Sequence, residues 1–267
     1  MRFLIPAIIL SLVILACEGS TEEGEGTGQL EIILADAPFP ITEVEAANVI
    51  IDSIQIQVPG GEGESFSTIL DSTQQFNLLE LSNGVTALLG NATLATGSYS
   101  QVRMFVASAE VVMVVGNPFD LKVPSGSSSG IKIKIQPAIA ILDGQTSSIL
   151  LDFDVSRSFV MKGSSNNITG FNFKPVIRAQ NLAVSGNLSG NVSGTAAVAI
   201  AGAEVWVETD STITSAITDT TGYYAIIGLS PDSYTLKAVA TGYDTTTVAG
   251  VTIQAGTNST QDITLTE

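Results

Sequence analysis

Asp152 and Asp154 stand two residues apart in Leu151-Asp-Phe-Asp154. In an extended chain alternate side chains share a face, so both carboxylates point one way while Leu151, Phe153 and Val155 point the other. The strand rise separates the two carboxylates by roughly 6–7 Å. That lies in the range of about 6.5–9.5 Å that an inverting glycosidase needs between its acid and its base. Oxygen-only ligands also suit a hard cation, calcium first, with Asp36 as a third ligand. A third reading needs no ligand. Either carboxylate pairs with Arg103, Arg157 or Arg178, or accepts backbone N–H groups at a turn. Aromatic residues make up only 6% of the chain, which offers little to line a sugar cleft, and the basic residues concentrate in the same half as the aspartates. Both facts favour ion pairing.

Other chemistries are excluded by residue type. The 267 residues contain no histidine and one cysteine. That removes Ser-His-Asp and Cys-His nucleophile systems, histidine zinc sites, cysteine-rich metal clusters and internal disulfides. Ser125 would have only Lys122, Lys132 or Lys134 as a base, a minimal dyad at best. The net charge of −16 opposes a phosphate backbone, so nucleic acid is not an expected partner. The expectation is a protein that is not an enzyme and holds no cofactor beyond the calcium option.

Trp206 is the single tryptophan, in Ala203-Glu-Val-Trp-Val-Glu208. With Ala203, Val205 and Val207 inward, Trp206 faces outward between two carboxylates, and Tyr223 also counts outward. An outward Trp so flanked could stack on a sugar ring or a partner side chain, and Tyr223 is a second ligand-binding candidate. The competing reading has Trp206 packed against the first domain or beneath a loop.

The elements that must position these residues are strands. Hydrophobic residues are 45% and charged residues 13% of the chain, which excludes disorder and supplies a core. Ile54-Gln-Ile-Gln-Val58 and Ile131-Lys-Ile-Lys-Ile135 alternate with period two, the mark of strands with one buried face. Turn signals at Pro59-Gly-Gly61, Asn83-Gly84, Asn117-Pro118 and Asp143-Gly144 separate such runs. One short helix is expected around Val85 to Leu89. A tight hairpin is expected at Asp219 and Gly222. Lys237 is the only Lys or Arg after residue 180, a composition shift that marks a domain boundary. The fold class expected is all-β, with two β-sandwich-type domains at 28–180 and 183–267.

The N-terminus carries an apolar run, Leu4 to Ala16, too short to span a membrane and suited to a secretory signal. It ends at Ile14-Leu-Ala-Cys17, where the sole cysteine sits. This resembles the lipobox of bacterial lipoproteins. The resemblance implies that residues 1–16 are a signal peptide and that Cys17 carries covalent lipid. Two or more acyl chains give stable anchoring. Residues 17–27 then form the lipidated cysteine and an acidic, flexible tether without apolar residues.

Two further resemblances cover the rest. Leu34-Ala-Asp-Ala-Pro38, Phe76-Asn-Leu-Leu-Glu-Leu-Ser-Asn-Gly84, Gly97-Ser-Tyr-Ser-Gln-Val-Arg103, Leu151-Asp-Phe-Asp154 and Lys174-Pro-Val-Ile-Arg178 are similar to an uncharacterised domain of prokaryotic envelope lipoproteins. Val184-Ser-Gly-Asn-Leu188, Ala201-Gly-Ala-Glu-Val-Trp-Val207, Thr218-Asp-Thr-Thr-Gly-Tyr-Tyr224 and Gly228-Leu-Ser-Pro-Asp-Ser-Tyr-Thr-Leu236 resemble the carboxypeptidase regulatory-like domain. That resemblance implies a prealbumin-type β-sandwich with an accessory, non-catalytic role. Together these imply a lipid-anchored protein of the cell envelope, on the outer membrane, surface-exposed or periplasm-facing. Its role would be binding, adhesion or envelope assembly. The membrane is its first partner, and an envelope glycan or another envelope protein its second. The alternatives are a carboxylate-based glycan hydrolase and a calcium-stabilised module.

Overall fold

The computed structural model of this chain describes residues 26–37, 43–60, 65–123, 129–164, 167–209 and 213–267. Cys17, the apolar run before it, residues 18–25 of the tether and Ser125 lie outside the described residues. The tether ends earlier than its composition suggests. Thr27 already starts a strand, and its N–H donates to Asp143 Oδ1 at 3.0 Å.

The first domain is built from β1 (Thr27–Ala37), β2 (Val44–Gln57), β3 (Phe66–Asn77), β4 (Ala87–Ala95), β5 (Gly97–Met113), β6 (Phe119–Leu121), β7 (Ile131–Ile141), β8 (Thr146–Asp154), β9 (Phe159–Ser164), β10 (Asn167–Phe173) and β11 (Ile177–Asn181). The main sheet runs β3-β2-β5-β7-β11-β8-β1-β4, with β6 beside β5, and β9 and β10 form a separate hairpin. The sheet curls until its ends meet, where Gln74 Nε2 of β3 donates to the carbonyl of Leu89 in β4 at 3.3 Å. Alternation behaves as its period requires: Ile54, Ile56, Ile133 and Ile135 are buried, and Lys132 and Lys134 are exposed.

Strand β8 departs from that pattern. Residues 149–154 are buried without a break, because this strand is covered on both faces. It lies between β11, antiparallel, and β1, parallel. Ile149, Leu151 and Phe153 enter the domain's own core, while Leu150 is fully buried outside that cluster.

The helix expected around Val85 to Leu89 is absent, and β4 occupies most of that stretch. Helical turns form instead at Leu78–Leu81, capped by Asn77, and at α1 (Val155–Ser158), capped by Asp154. The first stops at Asn83 and Gly84, both at positive φ, and the second runs directly into the apolar start of β9, where tertiary pairing overrides local preference. Among the described residues no helix is long and apolar enough to cross a membrane.

The second domain begins after a short turn, Leu182–Val184, and its hydrophobic cluster opens at Leu188. Its strands are β12 (Gly186–Gly194), β13 (Glu204–Glu208), β14 (Ile213–Ile217), β15 (Tyr223–Leu229), β16 (Asp232–Val239), β17 (Thr246–Ile253), β18 (Asn258–Thr260) and β19 (Ile263–Leu265). One sheet is β14-β13-β16-β17, and the other places β12 between β15 and the pair β18 and β19. Leu188, Val205, Val207, Tyr224, Leu236 and Leu265 are fully buried between them. The chain is therefore all-β, with a sandwich as its second unit. The Asp219–Gly222 turn does form, with Asp219 Oδ1 accepting from Thr221 N at 2.8 Å and Tyr223 N at 3.1 Å. It is not a hairpin, however. Strands β14 and β15 belong to different sheets, so the turn carries the chain across the sandwich.

Candidate functional site

Of the side chains singled out by sequence, Asp152, Asp154 and Trp206 lie along the seam between the two domains. Asp152 of β8 and Arg178 of β11 are direct cross-strand neighbours. Side chains opposite each other in an antiparallel pair stand close enough to interact, and Arg178 Nη2 forms an ion pair with Asp152 Oδ2. The pair sits on the face of β8 that also carries Leu150, the face turned to the second domain. Gly228 of β15 closes over Leu150 there, and Asn83 Nδ2 reaches across to the carbonyl of Ile217 at 2.6 Å. Burial pushes the Asp152 carboxyl above the usual carboxylate range, while Arg178 pulls against that rise.

Asp154 has a different job. Its Oδ1 accepts from Arg157 N at 3.0 Å and Ser156 Oγ at 2.8 Å, and its Oδ2 takes Arg157 Nε at 2.6 Å. It is the N-cap of α1, satisfying donors that a helix start leaves open. Asp36 registers with Phe153 across the parallel β1–β8 pair, so it follows Leu30, Ile32 and Leu34 onto the core face. Its Oδ1 accepts from Val155 N at 3.1 Å. The three carboxylates therefore do not converge. Of the three ligands expected for calcium, Asp36 follows the core face of β1, whereas Asp152 and Asp154 are engaged by Arg178 and Arg157. Among the described residues no group of three or more metal-ligating side chains forms. The glycosidase pairing fails for a related reason. Asp152 lines one cleft and Asp154 another, and each carboxylate is bound to an arginine.

The larger cleft, about 490 Å³, opens between the domains. Lys134, Gln136, Asp152, Arg178 and Gln180 form one wall, and Thr209, Thr214, Ser230, Asp232 and Tyr234 the other. Tyr234 is held by its hydroxyl, which donates to the Ser230 carbonyl at 2.9 Å. Its phenol is pushed up by burial and by the charge of Asp232. Arg178 Nε is buried and makes no hydrogen bond among the described residues.

A smaller cleft, about 230 Å³, runs beside it and shares Thr214. Trp206 lines this one, with Asp154 and Arg157 across the seam. The indole is half-buried and pinned: Nε1 donates to Glu208 Oε1 at 2.7 Å, and Glu208 Oε2 meets Lys237 Nζ at 2.7 Å. Those two hydrogen bonds hold the Glu208 carboxyl below its usual range, Lys237 contributing most. Tyr223 is exposed but lies on β15, in the other sheet, and lines none of these clefts. Of the two ligand-binding candidates, Trp206 therefore lines a seam cleft and Tyr223 stands on the other sheet, beyond the Asp219–Gly222 crossover.

Sequence reasoning missed Lys134, Asp232 and Gly228 as parts of this seam. Lys134 showed as an exposed strand residue and as a possible base for Ser125, and Gly228 and Asp232 only as letters of a motif. Glu208 was findable, since residues two apart on a strand share a face.

Residues 27–175 match the family model described as domain of unknown function DUF4382, and residues 187–266 match the carboxypeptidase regulatory-like domain. No curated protein matches the chain. Among solved structures, a cohesin–X-dockerin complex from Acetivibrio cellulolyticus is 26% identical over 30% of this chain and 56% of that one, with a TM-score of 0.25. Chlorocatechol 1,2-dioxygenase from Pseudomonas putida is 15% identical over 31% and 60%, with a TM-score of 0.25. The minor pilin of Streptococcus agalactiae is 15% identical over 90% and 96%, with a TM-score of 0.26. The chain thus spans between half and two thirds of the first two, and similarities at these scores carry no argument about function.

Proposed function

Because the chain belongs to the family defined by the domain of unknown function DUF4382, here joined to a carboxypeptidase regulatory-like domain, we propose that it is a non-enzymatic binding protein of the cell envelope, held to a membrane by lipid at Cys17. The observation that carries the non-enzymatic part is the use made of Asp152 and Asp154. One is spent in an ion pair beneath the second domain and the other in capping a helical turn. Neither is free to move a proton to or from a substrate. The anchor is supported by the lone cysteine at the end of a short apolar run. Its role is to hold a binding surface, formed by two docked β domains, at the membrane for an envelope glycan or another envelope protein.

The test is expression of the full chain, leader included, in a bacterial host with detergent phase partition. The wild-type protein is expected in the detergent phase with acyl mass on Cys17, and Cys17→Ser in the aqueous phase. An unmodified Cys17 in wild-type protein overturns the anchor. Turnover of any polysaccharide that is abolished by Asp152→Asn overturns the non-enzymatic reading.

A further inference from the structure

The seam between the domains carries a chemistry of its own, on top of the binding role proposed above and resting on it. Among the described residues that line it, the larger cleft is balanced in charge: Lys134 and Arg178 oppose Asp152 and Asp232. In a chain of net charge −16 that balance is local. It rejects a free anion and a free cation alike, since either would leave one charge type facing its own kind. What remains on the walls are donors and acceptors in mixture, including the amides of Gln136 and Gln180. Such a lining suits a neutral ligand whose own groups both donate and accept. Arg178 keeps 23% of its side chain exposed while tied to Asp152, so its guanidinium is oriented before any ligand arrives. The volume of about 490 Å³ is of the size that encloses a small molecule.

The aromatic partner lies beside it. Thr214 lines both clefts, and the second presents Trp206. Glu208 and Lys237 fix the edge of the indole, which leaves the ring with little rotamer freedom to lose on binding. A half-buried indole with a fixed edge, lining a cleft next to a bed of hydrogen-bonding groups, suits a molecule with one apolar ring face and a rim of hydroxyls.

We propose that this seam binds a neutral saccharide, with Trp206 stacking on one ring while Lys134, Arg178 and Asp232 take the hydroxyls of the next. Both domains contribute, so neither alone holds the whole site.

Trp206 is the sole tryptophan, so its emission reports on this site without interference. The full soluble chain, from residue 18 onward, is titrated with trimers of β-1,4-N-acetylglucosamine, β-1,4-glucose, α-1,4-glucose and β-1,4-mannose, following emission and heat together. At least one trimer is expected to saturate. Trp206→Ala is expected to weaken it about five- to tenfold, Trp206→Phe less, and Lys134→Ala or Asp232→Ala several-fold each. Lys134 and Asp232 are exposed, so those variants keep their melting temperature, which separates lost binding from lost folding. The absence of saturation by all four trimers up to about 5 mM overturns the proposal. So does binding that survives the alanine variants. Saturation by glucuronate or glucosamine alone, abolished by Lys134→Ala or Asp232→Ala respectively, overturns the neutral class. None of these outcomes touches the detergent partition of Cys17, so failure of the saccharide site and failure of the anchor are read separately.

Discussion

Leu150 of the first domain fills the space that any side chain at residue 228 of the second would need: a Cβ built on Gly228 would stand 2.7 Å from Leu150 Cδ2. Gly228 also has φ +71°, the left-handed region that costs an L-residue about 1–2 kcal/mol. Two demands, one of backbone and one of space, therefore meet at a single residue of the domain seam.

Gly228→Ala should cost about 2–4 kcal/mol, the backbone share joined by overlap with a fully buried leucine. Leu150→Ala alone should cost about 2–5 kcal/mol. The double variant should cost less than the sum of the two, because removing Leu150 makes room for the new methyl group. Denaturant unfolding of the four proteins measures the coupling. Strict additivity would mean that the two residues do not meet.

The Asp152–Arg178 pair should be far more sensitive to loss of one member than of both. Asp152→Asn or Arg178→Met leaves one buried group without its partner and should cost about 3 kcal/mol. Asp152→Leu combined with Arg178→Met replaces the pair by apolar bulk and should fall within about 1 kcal/mol of wild type. Equal costs for single and double replacement, measured by chemical denaturation, would contradict this.

The turn at Asp219 should make the second domain acid-labile. Hydrogen bonds from the Thr221 hydroxyl, and from the backbone N–H groups of Thr221 and Tyr223, lower this carboxyl below its ordinary value of 3.8. A group whose folded value is depressed adds stability above the unfolded value and loses it as pH falls through the folded one. Unfolding compared between pH 2 and pH 6 should show a stability loss below about pH 4 that Asp219→Asn removes. An identical acid slope in both proteins would rule out Asp219 as its source.

Particular residues mark where the sequence could be read. Ile54, Ile56, Ile133 and Ile135 are buried where period two put them, because a half-buried strand leaves no other face for them. Asp154 with Arg157 is a local contact, three residues apart, and sits among the arginine pairings that the sequence allowed. Asp152 had three arginines to choose from. Its choice of Arg178 follows from the β8–β11 register, which joins residues 26 positions apart. The Asp219–Gly222 turn was visible from its residue types, yet its destination was not, since the same turn residues join paired strands and unpaired ones.

Composition and residue types by themselves settled that this chain is built from strands and offers no histidine or cysteine-pair chemistry to a substrate. They act through local rules, the alternation of side chains and the presence or absence of a functional group, and local rules are written in order along the chain. Docking of the second domain decided the rest. It turned Leu150 and Asp152 from surface into interior and gathered Lys134, Arg178 and Asp232 around one cleft, while strand pairing inside the second domain put Tyr223 and Trp206 on different sheets. These outcomes depend on which strands pair and which faces meet, and the free energy that selects them comes from surface buried between segments far apart in the chain.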